Sequence, residues 1–357
     1  MSKLLSIIIP TYNMAALLPR CLDSLVTAEG AEKALEAIIV NDGSKDNSLE
    51  VAQQYANKYS NIVRVIDKPN GNYGSTINAA LPVAKGKYVK ILDSDDWFDT
   101  DILGRYLNEL QGIDADMIIT HFTQIGATSR EVVKYNTMGR EPYQYCKVYN
   151  LDAVLNDGYI RYFLMHALTY RTELLRNIGY KQTEGISYTD IEWACYPTFY
   201  AQTICFCDLN IYQYNLDREG QTMSPEVLMK SVNQLEIVMD ALLAYYKLHS
   251  KHLSDIRRMW MEQYYCNRIR LLYKTYLLDM PRDNFNPKAL EEMDMKYMHV
   301  CKEYGWSIKL YPANKILRTE YISYWHKNHK RWPVWYENLN HMIDAVVMWL
   351  YVKIVRK

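Results

Sequence analysis

The chain has 357 residues, 49% of them apolar, with 41 basic and 41 acidic side chains and a formal net charge of zero. The balanced charge argues against a nucleic-acid-binding protein, and the apolar content argues against a disordered one. The length predicts two domains, or one large domain with an extension.

The first 120 residues alternate between apolar runs and amphipathic segments. The apolar runs predict strands at 4–9, 37–40, 62–66, 88–92 and 116–120. The amphipathic segments predict helices near 17–25, 49–56, 75–84 and 100–110. This alternation is typical of βαβ units, so we expect an α/β fold with a mostly parallel, Rossmann-like sheet.

Beyond residue 121 the pattern is less regular. Further strands are predicted near 121–125, 131–135, 166–170, 203–207 and 211–214, and further helices near 172–178 and 189–201. From residue 225 the pattern is helical, with a predicted hairpin of helices over 226–249 and 253–278 and a helical end over 287–357. We therefore expect a first domain over 1–222, with halves at 1–120 and 121–222, and a helical C-terminal region over 223–357.

The seven cysteines form no CxxC pair, and their number is odd. This usage predicts free thiols in a reducing compartment and argues against a cysteine-ligated structural metal. No secretory signal is recognisable, and the late apolar run at 345–352 is far shorter than the roughly 20 residues of a spanning helix. We therefore expect a cytoplasmic protein.

The C-terminal end is basic, with 8 Lys or Arg against 3 Asp or Glu over residues 310–357, and it is rich in Trp. Basic residues interspersed with aromatic ones can hold a protein on the inner face of an anionic membrane, as a peripheral contact. The alternative is a helical appendage that packs on the first domain or on another subunit, which leaves an oligomer open.

Polar residues follow three of the predicted strands. Thr11-Tyr12-Asn13 ends the first, Asn41-Asp42-Gly43-Ser44 the second, and Asp93-Ser94-Asp95-Asp96 the fourth. Because the carboxyl ends of parallel strands lie at one edge of a sheet, we expect these side chains to form one acidic crevice.

Three acids within four residues predict a divalent-cation site. Mg²⁺ and Mn²⁺ prefer oxygen ligands and are often held by one or two carboxylates plus substrate phosphates. The alternatives are that Asp95 or Asp96 caps the next helix, and that Asp42 belongs to a turn. The loop 70–75 precedes a helix and can direct backbone N–H groups at a phosphate, although it matches neither GxGxxG nor a P-loop.

Four segments together resemble the family 2 glycosyltransferases of GT-A fold. They are SIIIPTYN (6–13), IIVNDGSKDNS (38–48), GNYGSTINAAL (71–81) and ILDSDDW (91–97), and they agree with the family in order and spacing. The resemblance implies a GT-A catalytic domain over 1–222, with a nucleotide-binding half followed by an acceptor half. It also implies inverting transfer of a sugar from a nucleotide-diphospho-sugar, usually a UDP-sugar, to the hydroxyl of a saccharide or lipid-linked acceptor, in polysaccharide or glycolipid assembly.

The resemblance also implies site residues. The implied contacts with the nucleotide sugar are Pro10, Tyr12, Asn13, Asp42, Gly71, Asn78, Asp93, Ser94 and Arg218. Asp95 is the implied main ligand of a divalent cation, Mn²⁺ or Mg²⁺, and Asp93 contacts either the ribose or the metal. Asp96 is assigned either to a helix cap or to a supporting position. Ile77 stands where many members have an arginine, which departs from the family pattern.

The acceptor side of the family pattern corresponds to Ser187–Trp193. There the resemblance implies that Asp190 is the general base, with Glu192 ranked second and Thr189 in place of the usual glutamate. The plain alternative for Asp190 is an acid favoured by the helix dipole. His166, which begins the segment HALTYR, is a further candidate beside a purely structural role, and Arg218 can equally be a surface residue. The rival function is a non-catalytic scaffold that binds a sugar nucleotide.

Overall fold

The computed structural model describes residues 3–135, 143–158, 160, 162–217, 232–308, 320–339, 342, 343 and 346. The strands are β1 Leu5–Thr11, β2 Leu35–Asp42, β3 Val63–Lys68, β4 Tyr88–Ile91, β5 Trp97–Phe98, β6 Met117–Gly126, β7 Ser129–Val133, β8 Val148–Asn150, β9 Leu168–Arg171 and β10 Thr203–Asn215.

Helices alternate with most of the strands up to β4, and the described elements after β10 are helical. They are α1 Leu18–Val26, α2 Ala31–Ala34, α3 Ser48–Lys58, α4 Asn72–Ala80, α5 Thr100–Gly112, α6 Leu151–Asn156, α7 Thr172–Asn177, α8 Asp190–Cys195, α9 Val232–His249, α10 Asp255–Lys274, α11 Pro287–Tyr304 and α12 Tyr321–Asn328.

The strands form one sheet in the order β3-β2-β1-β4-β9-β6-β10-β5, with β7 on β6 and β8 on β10. The four strands from β3 to β4 are parallel to their neighbours. β9 lies antiparallel between β4 and β6, and β6 and β10 are again parallel. The expected α/β fold with a mostly parallel sheet is confirmed. β9 separates the parallel strands β3 to β4 from a mixed part, in which β5, β7 and β8 are antiparallel to their neighbours.

The central strands are buried on both faces. Every residue of β1 and of β2 is buried, which matches their nearly continuous apolar runs. Such runs are typical of parallel strands covered by helices on either side. This buried frame fixes where each strand ends, and therefore where the polar residues that follow it emerge.

Two pairs of predicted strands are single strands. The segments 116–120 and 121–125 form β6, and the apolar segments at 203–214 form β10. Asp208 and Asn210 interrupt the apolar pattern of β10, but both have partners on β6: the Nε2 of His121 lies 3.2 Å from Asp208, and Asn210 donates to Thr123 Oγ1 at 2.6 Å. These polar pairs between β10 and β6 keep β10 continuous at the point where the sequence pattern predicts two separate strands.

The chain divides into two compact units. The first contains the described residues up to 217 together with Asn233–Met261, and the second contains Val232 and the described residues from Glu262 onwards. In the second unit, α11 begins at the cap Asn286, whose side chain accepts from the N–H groups of Lys288 and Ala289, and it ends at Gly305 with a φ of 68°. These helices lie within the stretch predicted to be helical.

Within the part of the chain that the structure describes, no helix has both the length and the apolar character needed to cross a membrane. Most of the run at 345–352 lies outside the described residues.

Candidate functional site

The carboxyl ends of β1, β2 and β4 open onto a cavity of about 280 Å³. This is the edge at which ligands bind in open α/β sheets. The cavity is lined by Pro10, Thr11, Tyr12, Met14, Asp42, Asn70, Asn72, Tyr73, Thr76, Asp93, Ser94, Asp95, Ser187 and Tyr214. The structure thus brings together the three polar strand ends that the sequence predicts to meet.

Asp42 lies on one wall of the cavity, and its carboxylate is fixed by three donors. Its Oδ1 accepts from Lys68 Nζ at 2.7 Å, from the backbone N–H of Gly71 at 2.9 Å and from Ser75 Oγ at 3.4 Å. The side chain is almost fully buried, so these donors offset the cost of removing its charge from water. Asp42 is therefore the last residue of β2 with a defined orientation, rather than a solvated turn residue.

Asp93 and Asp95 line the cavity beside Ser94. Asp93 Oδ1 accepts from the hydroxyl of Tyr73 at 2.8 Å, and both acids are partly exposed. Their oxygens are the donor type that Mg²⁺ and Mn²⁺ prefer, so the residues present fit a divalent cation.

Asp96 is buried and does not cap the following helix. Its Oδ1 accepts from the backbone N–H of Asn215 at 2.8 Å, and its Oδ2 accepts from the hydroxyl of Tyr212 at 2.6 Å. The cap of α5 is Asp99, which accepts from the N–H of Ile102. The helix-cap alternative for Asp95 and Asp96 is therefore wrong. Instead, Asp96 ties the turn after β4 to the end of β10.

His166 lies next to these acids, in the turn before β9. Its ring stacks on Phe122 and packs against Tyr212 and Tyr214. One ligand atom each of His166, Asp93 and Asp96 lie within 4.8 Å of one another, and Nδ1 of His166 is buried with no hydrogen-bond partner among the described residues. Burial, and secondarily Lys90, lowers the pKa of His166 to about 3. A neutral ring with an unused nitrogen is compatible with an added donor at the cation site.

Lys90 lies under this cluster on β4 and is fully buried. Its ammonium donates to the backbone carbonyls of His166 at 2.7 Å and Leu168 at 3.1 Å. Burial lowers the pKa of Lys90 to about 7. The lysine therefore holds the turn that carries His166.

Three predicted contact residues are not among those that line the cavity. Asn13 accepts from the N–H of Lys45 at 2.7 Å, and the N–H of Gly71 is donated to Asp42. Asn78 accepts from the N–H of Gln182 at 2.8 Å and donates to Glu184 at 2.9 Å. Each of these residues holds a loop that borders the cavity. Arg218 lies outside the described residues.

Asp190 is the first residue of α8 and is partly exposed, three residues after Ser187, which lines the cavity. Burial raises the pKa of Tyr73, and the charges of Asp93 and Asp190 raise it further. Burial, the charges of Asp96 and Asp93, and then the charge of Asp190 also raise the pKa of Tyr214. The charge of Asp190 therefore acts on two side chains of the cavity wall.

Glu192 has a different environment. It is fully buried and accepts from the N–H of Thr183 at 2.7 Å, from Thr183 Oγ1 at 2.6 Å and from the hydroxyl of Tyr196 at 3.2 Å. Burial raises the pKa of Glu192. The carboxyl group of Glu192 therefore holds the loop before α8. Asp190 is the acid of this helix whose charge acts on the cavity residues Tyr73 and Tyr214.

Four residues at the site are not among those predicted from the sequence: Lys68, Tyr73, Tyr212 and Tyr214. Lys68 ends β3 next to Asp42, and Tyr73 lies in the first turn of α4. The sequence offered one signal for them: each lies in, or directly after, a predicted strand or loop that leads to the site. The tyrosines were obscured because the chain contains 32 of them.

Residues 6–178 match the family model described as Glycosyl transferase family 2. A poly(ribitol-phosphate) beta-glucosyltransferase from Bacillus spizizenii is 42% identical over 106 residues, which cover 29% of this chain and 17% of that protein. Matches to eight curated relatives cover 11% to 41% of their lengths, so the chain spans less than half of each relative.

Solved structures share the fold. TarS 1–349 from S. aureus is 21% identical with a TM-score of 0.59, over 81% of this chain and 78% of that one. The structure of TarS 1–349 in complex with UDP-GlcNAc is 20% identical with a TM-score of 0.52, over 86% of this chain and 93% of that one. The mannosyltransferase PcManGT from Pyrobaculum calidifontis, in complex with GDP-Man and Mn²⁺, is 14% identical with a TM-score of 0.50, over 85% and 82%.

These likenesses confirm the GT-A type of fold that the resemblance implies. The family model covers all four motif segments, including the strand ends that form the cavity. The N-terminal region of the chain, residues 6–178, therefore belongs to glycosyl transferase family 2.

Proposed function

We propose that the protein is an inverting glycosyltransferase that moves a sugar from a UDP-sugar to an acceptor hydroxyl. The observation that carries the proposal is the convergence of Asp42, Asp93 and Asp95 on one cavity. Asp42 ends β2, and Asp93 and Asp95 both follow β4, so one elongated ligand can contact all three acids. Residues 1–222 are the proposed catalytic domain.

The donor class is supported by Asp42 and by the neighbouring structures. A carboxylate held by Lys68 and the N–H of Gly71 is ready to accept from a base N–H or a ribose hydroxyl. Two structural neighbours were solved in complex with UDP-GlcNAc and with GDP-Man. UDP is the proposed nucleotide because it is the usual one in the family that the motifs resemble.

Asp93 and Asp95 would hold the divalent cation, together with the donor diphosphate. A bound Mg²⁺ or Mn²⁺ stabilises the negative charge on a departing diphosphate as a Lewis acid. The Mn²⁺ in the complex of the Pyrobaculum mannosyltransferase supports this assignment. Tyr73 orients Asp93, and Tyr212 with Asn215 fixes the neighbouring Asp96.

Asp190 is the proposed general base. It would accept the proton of the acceptor hydroxyl while that oxygen attacks the anomeric carbon from the side opposite the leaving diphosphate, which inverts the configuration. Inverting displacement requires a single protein base. Asp190 is the first residue of α8, at the positive end of the helix dipole, where an acidic side chain is favoured.

The acceptor is proposed by analogy to be a polysaccharide or a lipid-linked glycan. The Bacillus relative is named for transfer to a poly(ribitol-phosphate). A cytoplasmic location with peripheral contact to an anionic membrane, through the basic end of the chain, is part of the same proposal. Most of that end lies outside the described residues.

The first test is thermal stabilisation of the full chain by nucleotides and nucleotide sugars, with and without Mn²⁺. A ligand at 100 times its Kd stabilises by about 2.7 kcal/mol. We expect stabilisation by UDP or a UDP-sugar that depends on the cation. Stabilisation by another nucleotide alone would replace the donor, and stabilisation by none would contradict the proposal.

The second test is Asp190→Asn, with Glu192→Gln as the matched acid on the same helix. Loss of a general base costs about 10²–10⁴-fold in rate, so transfer should fall by that factor in Asp190→Asn while donor binding stays unchanged. Glu192→Gln should keep most of the rate. Near-wild-type turnover in Asp190→Asn would show that the base is another group.

A further inference from the structure

A second cluster of metal-ligating side chains lies away from the cavity, in the first compact unit. It contains Glu109 of α5, Cys146 before β8, and Cys207 of β10. One carboxylate oxygen and the two sulfurs lie within 4.8 Å of one another. None of these residues lines the donor cavity. The cysteine spacing argues against such a cluster, since Cys146 and Cys207 lie 61 positions apart and form no CxxC pair.

The backbone holds the cluster in place. The N–H of Cys146 donates to the carbonyl of Phe206 at 2.7 Å, so the two thiols are brought together by neighbouring segments. The ring of Tyr143 stacks on that of Phe206, which anchors the segment that contains Cys146. Cys146 has a φ of 59°, a left-handed conformation that is unfavourable for a non-glycine residue. The thiol thus has a fixed position rather than a random one on a surface loop.

The cluster has three donors and a nearby fourth. Cys146 donates its S–H to Glu109 Oε2 at 3.2 Å. The thiol of Cys205, two residues along β10, is hydrogen-bonded to that of Cys207. Cys205 and Cys207 are fully buried, whereas Cys146 is exposed. The exposed Cys146 and the partly exposed Glu109 provide an entry path for an ion to the buried thiols.

The ion-free cluster holds its protons. Burial, and then Glu109, raises the pKa of Cys146 to about 11. The hydrogen bond with Cys205, and then burial, raises the pKa of Cys207. Thiolates and a carboxylate this close repel one another unless a cation lies between them, and metal binding to thiols releases protons.

We infer that Glu109, Cys146 and Cys207 form a binding site for a thiophilic divalent cation such as Zn²⁺, with Cys205 as the nearest further ligand. Thiolate and carboxylate ligands suit Zn²⁺, whose tetrahedral sites have Zn–S distances of about 2.3 Å. Ligands on such a tetrahedron are about 3.8 Å apart, so side-chain movements of about 1 Å close the site. The ion would join α5, the segment before β8, and β10.

The test uses Co²⁺ as a spectroscopic probe in the reduced, full-length protein. Thiolate-bound Co²⁺ gives an intense sulfur-to-metal band, whereas the oxygen ligands at Asp93 and Asp95 give none, so the two sites are distinguishable. We expect one equivalent to bind with this band and Zn²⁺ to displace it. The band should disappear in Cys146→Ser and Cys207→Ser and persist in Cys195→Ser, a buried cysteine outside the cluster.

The affinity loss in Cys207→Ser should exceed the roughly 10–100-fold cost of changing a residue that merely supports a metal ligand. A second measurement needs no variant: Zn²⁺ should slow alkylation of Cys146 in the wild-type protein at least 10-fold, mapped by mass spectrometry. Absence of the sulfur band, its persistence in Cys207→Ser, or alkylation unaffected by Zn²⁺ would overturn the inference. So would a Cys146–Cys207 disulfide that forms at the expense of ion binding, which would assign the pair to a thiol switch.

Discussion

The two parts of the sheet contribute different chemistry to the cavity. The parallel part, from β3 to β4, presents carboxylates at the ends of strands, at Asp42, Asp93 and Asp95. The part beyond β9 contributes two tyrosines near the end of one long strand: Tyr214 lines the cavity, and Tyr212 donates to Asp96. The first part thus provides charge, and the second fixes where that charge lies. Loss of charge should therefore affect catalysis first, and loss of a fixing contact should affect stability first.

The largest effect should come from removing charge in the parallel part. Asp95→Asn keeps the shape of a cavity residue and removes the proposed cation ligand. We expect kcat/KM to fall by about 10³-fold, as when one electrostatic stabiliser of a transition state is lost. Steady-state kinetics over a range of Mn²⁺ concentrations measures this. An unchanged dependence on Mn²⁺ would show that the ion is held elsewhere.

The next effect should come from the part beyond β9. Tyr212→Phe removes the hydroxyl that donates to Asp96 and accepts from the N–H of Asp93 at 3.2 Å. Leaving such buried groups unpaired costs about 1–3 kcal/mol in the free energy of unfolding. Urea denaturation measures this, with Tyr162→Phe as an exposed control. Equal stability of the two variants would mean that water replaces the hydroxyl.

A smaller effect concerns pH. The folded pKa of Glu192 is raised by burial above its usual 4.5, so its contribution to stability is fully present below that value and is lost as pH rises through the folded pKa. Glu192→Gln cannot titrate. The stability difference between wild type and variant should therefore shift against the wild type as pH rises from about 4 to 8. A difference independent of pH would contradict the raised pKa.

The smallest effect should come from Asp99→Ala, which removes the cap of α5. Loss of an N-cap side chain costs about 1 kcal/mol. Because Asp99 does not line the cavity, donor binding should be unchanged, and only the midpoint of thermal unfolding should fall. A loss of donor affinity would show that the start of α5 transmits strain to Asp95.

The parallel part could be predicted from the sequence because its signals are local. LSIII and AIIV are buried on both faces, and each is followed at once by the polar residues of the site. The hidden contacts of this part were not predictable, since Lys68 meets Asp42 only through the pairing of β2 with β3.

The later part was harder because its order depends on contacts between distant segments. The polar residues Asp208 and Asn210 predict an interruption between two strands, but they pair with His121 and Thr123 of β6 within a single strand. The family resemblance pointed to Asp190 through its position in a motif. By contrast, residue type does not separate Asp190 from Glu192, whereas the structure does: Glu192 is buried and accepts from Thr183 and Tyr196, and Asp190 is partly exposed.

The register of β10 against β6 has a consequence for insertions and deletions. From Phe206 to Tyr212 the chain advances six residues, while its partners advance three, from Ile119 to Phe122, so β10 carries three extra residues there. An odd excess exchanges the two faces of a strand. The number of extra residues in this stretch therefore determines which face of the sheet Tyr212 lies on, and so whether its hydroxyl reaches Asp96. Deleting one residue between 207 and 211 would leave an even excess, so the side chains of β10 after the deletion would exchange faces. Such a deletion should disrupt the cavity more than any single substitution in β10.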